Sequence, residues 1–359
     1  MGVPGLHQFL KKKKVKFKHF LSIENFAAEN TAGKIYIDFG SCFFQLLTSG
    51  STATTIFKKI EALLNPLKSI IILVFDGPKR SKQKFDTSLA RRKLVEVTLN
   101  NVLSSVEKLV PGRSLSRSKW QWVKKKVKAS RMIIPEIMDN VKNLLIAGNF
   151  RIQTADMEAD VYIARIPEVH VMSSDSDFFI HKNVKAVHKL NLWKKSIISI
   201  KRSDVMSKLA LTSNQLVLYG MVNLNDYDSN VRGYGLVRNL KIIKKLVDDE
   251  VSKMLDKYIA TFPGVSPNNF SGSLDIFNDL KEDEIDEPVA KEFSDLEDSN
   301  LNMKNLISNL MEQHKEATAL LLKKTAISSV EIKKTFPLIW KGDKMKDKIR
   351  FIVVTNNQR

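Results

Sequence analysis

The sequence predicts an α/β protein built on a mostly parallel sheet flanked by helices. Three observations carry that reading. Short runs rich in β-branched residues alternate with stretches of helical spacing. The strongest run, SIIILVF at 69–75, has no polar break, as expected of a strand covered on both faces. Acids recur where these apolar runs end, which is where ligands gather in open parallel sheets.

Taken in order, residues 34–39 (KIYIDF) read as a buried strand that ends at Asp38. Residues 54–67 have helical spacing, and 69–75 form a second buried strand followed by Asp76-Gly77. A long basic helical region starts near residue 83. FRIQTA at 150–155 is a third strand, and the helix that opens near Met157 carries Glu158 and Asp160. EVHVMSS at 168–174 is a fourth strand, with Asp175 and Asp177 just past it. KAVHKL (185–190) and SIISI (196–200) suggest an edge hairpin. Beyond 203 the pattern is helical, over about 203–223 and 236–260, and a helix is expected over 301–324. Four regions follow: an α/β core at 1–225 that includes a basic segment at about 83–131, helices at 226–270, an acidic linker at 271–300, and a helical extension at 301–359. DIFNDLKEDEIDEPVAKEFSDLEDS is acidic enough to read as a solvated linker.

Composition narrows the class of protein. The 359 residues are 43% apolar, enough for a substantial core, and 58 Lys and Arg against 39 Asp and Glu give a net charge of +19. That imbalance favours polyanions. A single cysteine, Cys42, excludes an intramolecular disulfide and argues against structural zinc. No uncharged apolar run approaches a membrane span, and the opening MGVPGLHQFLKKKK lacks the order of a secretory signal, so an intracellular protein with no membrane partner is expected. The block KKKKVKFK at 11–18 suits a nuclear localisation patch, a phosphate-contacting face, or the wet side of a first helix.

Asp38, Asp76, Asp175 and Asp177 lie at or beyond the carboxyl ends of predicted parallel strands, and Glu158 and Asp160 open a helix after another. Residues distant in sequence would then meet in one crevice. An all-oxygen set suits Mg²⁺ or Mn²⁺ rather than Zn²⁺, and two such ions suit phosphodiester hydrolysis. Taken singly, each acid also suits an ordinary cap or turn: Asp38, Asp175 and Asp177 as N-caps, Asp76-Gly77 as a turn.

The motifs MGVPGL, YIDFGSCFFQLL, VFDG, MEADVYIA, SSDSDFFIH and NDYDSNVRGYGLVRNLKII, in this order over about residues 1–250, resemble the flap endonuclease/XPG family of structure-specific 5′ nucleases. The resemblance implies a PIN-like fold with a helix–two-turn–helix DNA-binding element and a helical C-terminal region. It assigns Asp38, Asp76, Glu158, Asp160, Asp175, Asp177 and Asp226 to a two-Mg²⁺ cluster, with Mn²⁺ as a substitute. Asp156 is a shifted alternative within DMEAD, and Asp228 neighbours Asp226. The family uses a Lys and an Arg after the VFDG strand to polarise the scissile phosphate, and Lys84 and Arg91 are the choices here.

DNA contacts are expected at Gly2 in the opening motif and at the turn bearing Arg232, Gly233 and Gly235. Both glycines permit positive φ and close phosphate approach, and the family often holds a K⁺ ion at this hairpin. Lys241, Lys244 and Lys245 extend the face. Residues 108–131 carry nine basic residues and no acid, with Trp120 and Trp122 among them, which suits a single strand and looks like the family's arch. No QxxLxxFF box is present, so sliding-clamp binding is not expected. The expected activity is cleavage of branched or 5′-flapped DNA in replication, repair or recombination, by a monomer in the nucleus or at a cytoplasmic viral replication site. The alternatives are an RNA endonuclease of the same fold and a catalytically silent DNA-binding scaffold.

Overall fold

The computed structural model describes residues 2–107 (residue 32 aside), 118, 121–123, 125–126, 133–287, 289–291, 293–310 and 312. The chain divides into two compact units, Met1–Lys93 with Arg131–Glu297, and Leu94–Ser130 with Asp298–Arg359.

The first unit is built on seven strands: β1 (Lys18–Phe20), β2 (Ile35–Asp38), β3 (Ile71–Phe75), β4 (Ile152–Thr154), β5 (Val169–Met172), β6 (Val184–Asn191) and β7 (Ser196–Lys201). Their order is β1-β7-β6-β5-β2-β3-β4. The five strands from β6 to β4 are mutually parallel, β7 runs antiparallel to β6, and β1 runs antiparallel to β7. The register aligns Asp38 with Val74, and Ile37 with both Leu73 and Met172. The carboxyl ends of β5, β2 and β3 are therefore level, so residues just past them share one edge.

Alternation explains the two-sided core. On β3, Ile71, Leu73 and Phe75 join one apolar cluster, with Phe43, Ile60 and Leu145. Ile72 and Val74 join the other, with Leu10, Val161, Val205 and Leu216. The first cluster draws on helices α3 (Phe39–Leu47), α4 (Ala53–Leu64) and α6 (Pro135–Ala147), and the second on α1 (Leu6–Lys12), α7 (Ala159–Ala164), α8 (Arg202–Leu209) and α9 (Ser213–Met221). The remaining helices are α2 (Ile23–Glu29), α5 (Lys82–Glu107), α10 (Leu236–Ile243) and α11 (Val251–Ile259). A Thr212–Gln215 capping box starts α9.

The expected hairpin forms as β6 and β7 but is not the edge, because β1 pairs with β7. The end of the basic block supplies that strand: Lys18 and His19 face solvent and Phe20 is buried. Three residues with one apolar side chain give almost no alternation to read.

The acidic stretch is more structured than its composition suggests. Ser271–Leu274 is one helical turn and Asp275–Asp279 a π-helix, with Ile276 and Phe277 buried. Phe293 is buried, and residues 293–310 are helical. Spaced apolar residues anchor a segment whose average is hydrophilic. In the second unit Leu99, Val102 and Val106 of α5 pack with Val123 and Ile307. Trp122 there is 38% exposed, whereas Trp120 lies outside the described residues. No helix among the described residues is long and apolar enough to cross a membrane.

Candidate active site

Asp38 is the last residue of β2 and the N-cap of α3, where its Oδ1 accepts from the Ser41 N–H at 3.2 Å. Its Oδ2 accepts from the Ser173 hydroxyl at 2.8 Å, which ties β2 to the end of β5. The capping role and the pocket role coincide in one carboxylate. Burial, reinforced by Asp76 and Asp160, pushes Asp38 from its ordinary 3.8 up to about 7.

Asp76 follows β3, and its Oδ1 accepts from the Ala159 N–H at 2.9 Å, the start of α7. Gly77 makes that join possible. A Cβ there would stand 2.1 Å from the Asp156 carbonyl oxygen, and the Gly77 N–H donates to the Met157 carbonyl at 2.6 Å. Burial and then Glu158 raise Asp76 to about 6.

Glu158 and Asp160 share the Lys84 ammonium, at 2.8 and 3.3 Å. Burial alone would raise Asp160, but Lys84 first and then His181 outweigh it and hold its carboxyl below the ordinary value. Asp156 is exposed, whereas Asp160 is buried. In the SSDSD loop the Asp175 N–H donates to Ser173 Oγ, and the Asp177 N–H to Asp175 Oδ1 at 3.1 Å. The Val3 N–H reaches Asp177 Oδ1 at 2.8 Å, so the N-terminal segment lies on this loop. Gly2, at φ +61°, leaves no room for a Cβ, which would stand 2.0 Å from Asp175 Oδ1. Burial, then Asp175, Asp226 and Asp160, raises Asp177 well above its ordinary 3.8.

Asp226 is buried and pairs with the Arg91 guanidinium. Asn225 sets its loop: Nδ2 donates to the Gly220, Met221 and Asn223 carbonyls, while Oδ1 accepts from the N–H groups of Tyr227 and Asp228. Asp228 turns instead to the Ser273 N–H, at 2.6 Å.

The seven acids therefore form one electrostatic group. Asp38, Asp76 and Asp160 act on one another, and Asp177 feels Asp160, Asp175 and Asp226, with Asp160 common to both sets. Among the described residues no three of His, Cys, Asp and Glu stand close enough together to coordinate one ion. Lys84 and Arg91 take up three of the carboxylates instead. The donor set itself is all oxygen, and Asp38, Asp76 and Asp177 are raised by burial first and by neighbouring carboxylates second, both of which suit a hard divalent cation.

Two further residues carry no sequence signal for this site. Glu282, from the acidic stretch, accepts from the Glu158 N–H at 3.1 Å and is raised to about 7 by burial, with Asp160 and Glu158 adding to it. His181 is 1% exposed, and burial lowers it to about 4, leaving a neutral ring beside the acids.

The expected DNA-facing turn holds Gly233 at φ +82°, but Gly235 is extended at φ −113° and caps α10, so only Gly233 uses the left-handed region. Arg232, Lys241, Lys244 and Lys245 are exposed. The helical stretch expected at 236–260 is two helices, α10 and α11.

No family model matches the chain, and no curated protein matches it significantly. Solved structures do. The catalytic core of Rad2 in complex with DNA substrate is 15% identical, with a TM-score of 0.50 over 87% of this chain and 100% of that one. Human GEN1 in complex with Holliday junction DNA is 16% identical, with a TM-score of 0.49 over 87% and 79%. Flap endonuclease-1 from Methanococcus jannaschii is 21% identical, with a TM-score of 0.44 over 86% and 99%. The chain thus has the PIN-like fold of the Rad2 catalytic core, a mostly parallel sheet flanked by helices.

Proposed function

We propose that this protein is a Mg²⁺-dependent, structure-specific 5′ nuclease that hydrolyses phosphodiesters in branched or 5′-flapped DNA. One observation supports the reading: seven carboxylates spread over residues 38–226 are linked by mutual electrostatic influence, and three of them pair with Lys84 or Arg91, in a chain of net charge +19. The likeness to the Rad2 core, solved with DNA substrate, supports the same reading at the level of fold. Burying acids with raised pKa values costs the apo protein stability beyond what their capping contacts require, which favours a functional reason for keeping them.

Asp38, Asp76, Glu158 and Asp160 would hold one side of a two-ion site, and Asp175, Asp177 and Asp226 the other. When bound, the ions supply an activated water and neutralise charge developing on the phosphate and its leaving oxygen. The protein's own residues do the positioning. Ser173 and Ser41 fix the Asp38 carboxylate, and the Ala159 N–H fixes Asp76. Lys84 and Arg91 present fixed positive charge at the pocket, where a phosphate oxygen competes for them with the carboxylates. Arg232, Lys241, Lys244 and Lys245 track the duplex backbone without reading its sequence.

The test is a panel of flapped, nicked, gapped, Holliday-type and single-stranded DNAs, with a single-stranded RNA, incubated with protein and Mg²⁺. We expect flapped or branched DNA to be cut and Asp175→Ala to bind it without cutting. Full cleavage by Asp175→Ala defeats the site assignment. Preferential cleavage of the RNA replaces the substrate, and no cleavage of any member leaves a binding scaffold.

A further inference from the structure

Beside the acid pocket the chain places its own acids on its own cations. The residues that follow the β3 turn are paired one after another with a stretch from 282 to 297. Lys79 pairs with Glu284 at 2.7 Å, and Arg165 with Glu282 at 3.4 Å. Arg80 and Arg92 both reach Glu297, at 3.2 and 2.6 Å. The backbones join as well: the Lys82 N–H donates to the Asp283 carbonyl at 2.7 Å, the Ile285 N–H donates to the Arg80 carbonyl at 3.2 Å, and Ser81 forms an antiparallel bridge with Glu284. Phe293 lies under the two arginines, whose guanidinium carbons stand 5.3 and 6.0 Å from its ring centre.

We propose that residues 282–287 and 293–297 form an acidic strap standing in for a phosphodiester backbone on a cationic face, and that nucleic acid must displace it to bind there. The inference rests on the nucleic-acid reading given above. Three features favour a stand-in over a merely structural contact. Two guanidinium groups converge on one carboxylate, whereas a phosphate, with more oxygens and a continuing chain of charge, would offer both of them more acceptors. Lys79 and Arg80 stay accessible while paired, with side chains 53% and 50% exposed, so their pairs are screened and of small worth, while Arg92 at 28% is more enclosed. A polyanion that replaces them also releases condensed counterions, which a carboxylate cannot do. The strap meanwhile reaches the pocket itself, where Glu282 holds the Glu158 N–H. Displacement would therefore couple duplex arrival to the loop that carries Glu158 and Asp160.

The bridge offers a direct test. Ser81 and Glu284 are a non-hydrogen-bonded antiparallel pair, flanked by the two backbone bonds above, and such pairs suit a disulfide. The Ser81→Cys/Glu284→Cys protein would be compared oxidised and reduced, in EDTA, by fluorescence anisotropy with a labelled 5′-flap DNA. Cys42 is buried and does not compete. The locked strap is expected to weaken binding about tenfold, on the order of two lost phosphate contacts, with recovery on reduction. A second variant, Glu284→Gln/Glu297→Gln, keeps the backbone bridge and should bind about threefold tighter than wild type at low salt. Equal affinity in the oxidised and reduced forms, or an unchanged or weaker affinity in the glutamine variant, overturns the strap and leaves the nuclease reading standing. Failure of wild-type and reduced protein alike to bind DNA overturns both.

Discussion

Replacing Asp38 by Asn should stabilise the metal-free protein, and increasingly so as pH rises. The folded-state value of Asp38, about 7, lies above its ordinary 3.8 because burial and the neighbouring Asp76 and Asp160 disfavour its charge. Between these values the native state holds more protons than the unfolded chain, so stability falls as pH increases. Integrating the titration of this one group, ionisation costs about 2 kcal/mol at pH 5.5 and about 4 kcal/mol at pH 8. Asn removes that cost while keeping the local structure. It is as good an N-cap as Asp, its oxygen can accept from the Ser41 N–H, and the Ser173 hydroxyl can turn to accept from its amide. The assay is urea unfolding in EDTA at pH 5.5 and pH 8. Asp38→Asn should gain about 2 kcal/mol more over wild type at pH 8 than at pH 5.5. Adding Mg²⁺ should raise the stability of wild type and scarcely that of the variant, which also loses cleavage. A variant destabilised by the same amount at both pH values would refute the argument, because packing alone would then explain it.

Gly2→Ala puts a Cβ 2.0 Å from Asp175 Oδ1 and 2.5 Å from Asp177 Oδ1, so the N-terminal segment must lift off the SSDSD loop. Cleavage should fall at least about tenfold with Tm little changed, since only a terminus is released, and unchanged activity would contradict this. Lys84→Met strips Glu158 and Asp160 of their shared ammonium. It should lower kcat about 100-fold with KM nearly constant, and a kcat within twofold of wild type would remove Lys84 from the mechanism. Binding of Mg²⁺ should expel protons from Asp38 and Asp76, raised to about 7 and about 6. Calorimetry in buffers of different ionisation enthalpy should find roughly one more proton released at pH 6.5 than at pH 8, and identical release would count against their being ligands.

The acids were legible because they sit at breaks in strong strand signals. VFDG and YIDFG need only the apolar run before them to be placed at a strand end, and parallel topology then brings those ends to one edge. What escaped the sequence was of two kinds. Lys18–Phe20 is a strand because β7 has a free edge to pair with, a tertiary cause that three residues cannot announce. Glu282 sits among many acids in a stretch whose composition reads as solvated, and nothing local distinguishes the one that turns inward to the Glu158 N–H. The two glycines of RGYG look equivalent as letters, yet only Gly233 takes positive φ, because Gly235 serves as an extended N-cap. Spacing to Arg232-Gly233 favours Asp226 over Asp228, but the contact of Asp228 with Ser273, 45 residues away, has no local signal.

The order of the sheet sets how much charge the pocket gathers. β2 lies between β5 and β3, so Asp38 stands in the middle, with the Asp175 loop on one side and Asp76 on the other. Neighbouring strands are about 4.8 Å apart, so the three carriers span about 10 Å. Under the two-ion reading proposed above, such a span would leave room for ions about 4 Å apart. If Asp76 lay on a non-adjacent strand, its carboxylate would be too far from Asp38 to raise it, and only burial and Asp160 would act on that group. The same crowding explains the two cations. Without metal, Lys84 neutralises the Glu158–Asp160 side and Arg91 the Asp226 side, leaving Asp38 between them with only hydroxyl and amide partners. Asp38, like Asp177, is thus held above its ordinary value when the pocket carries no further positive charge.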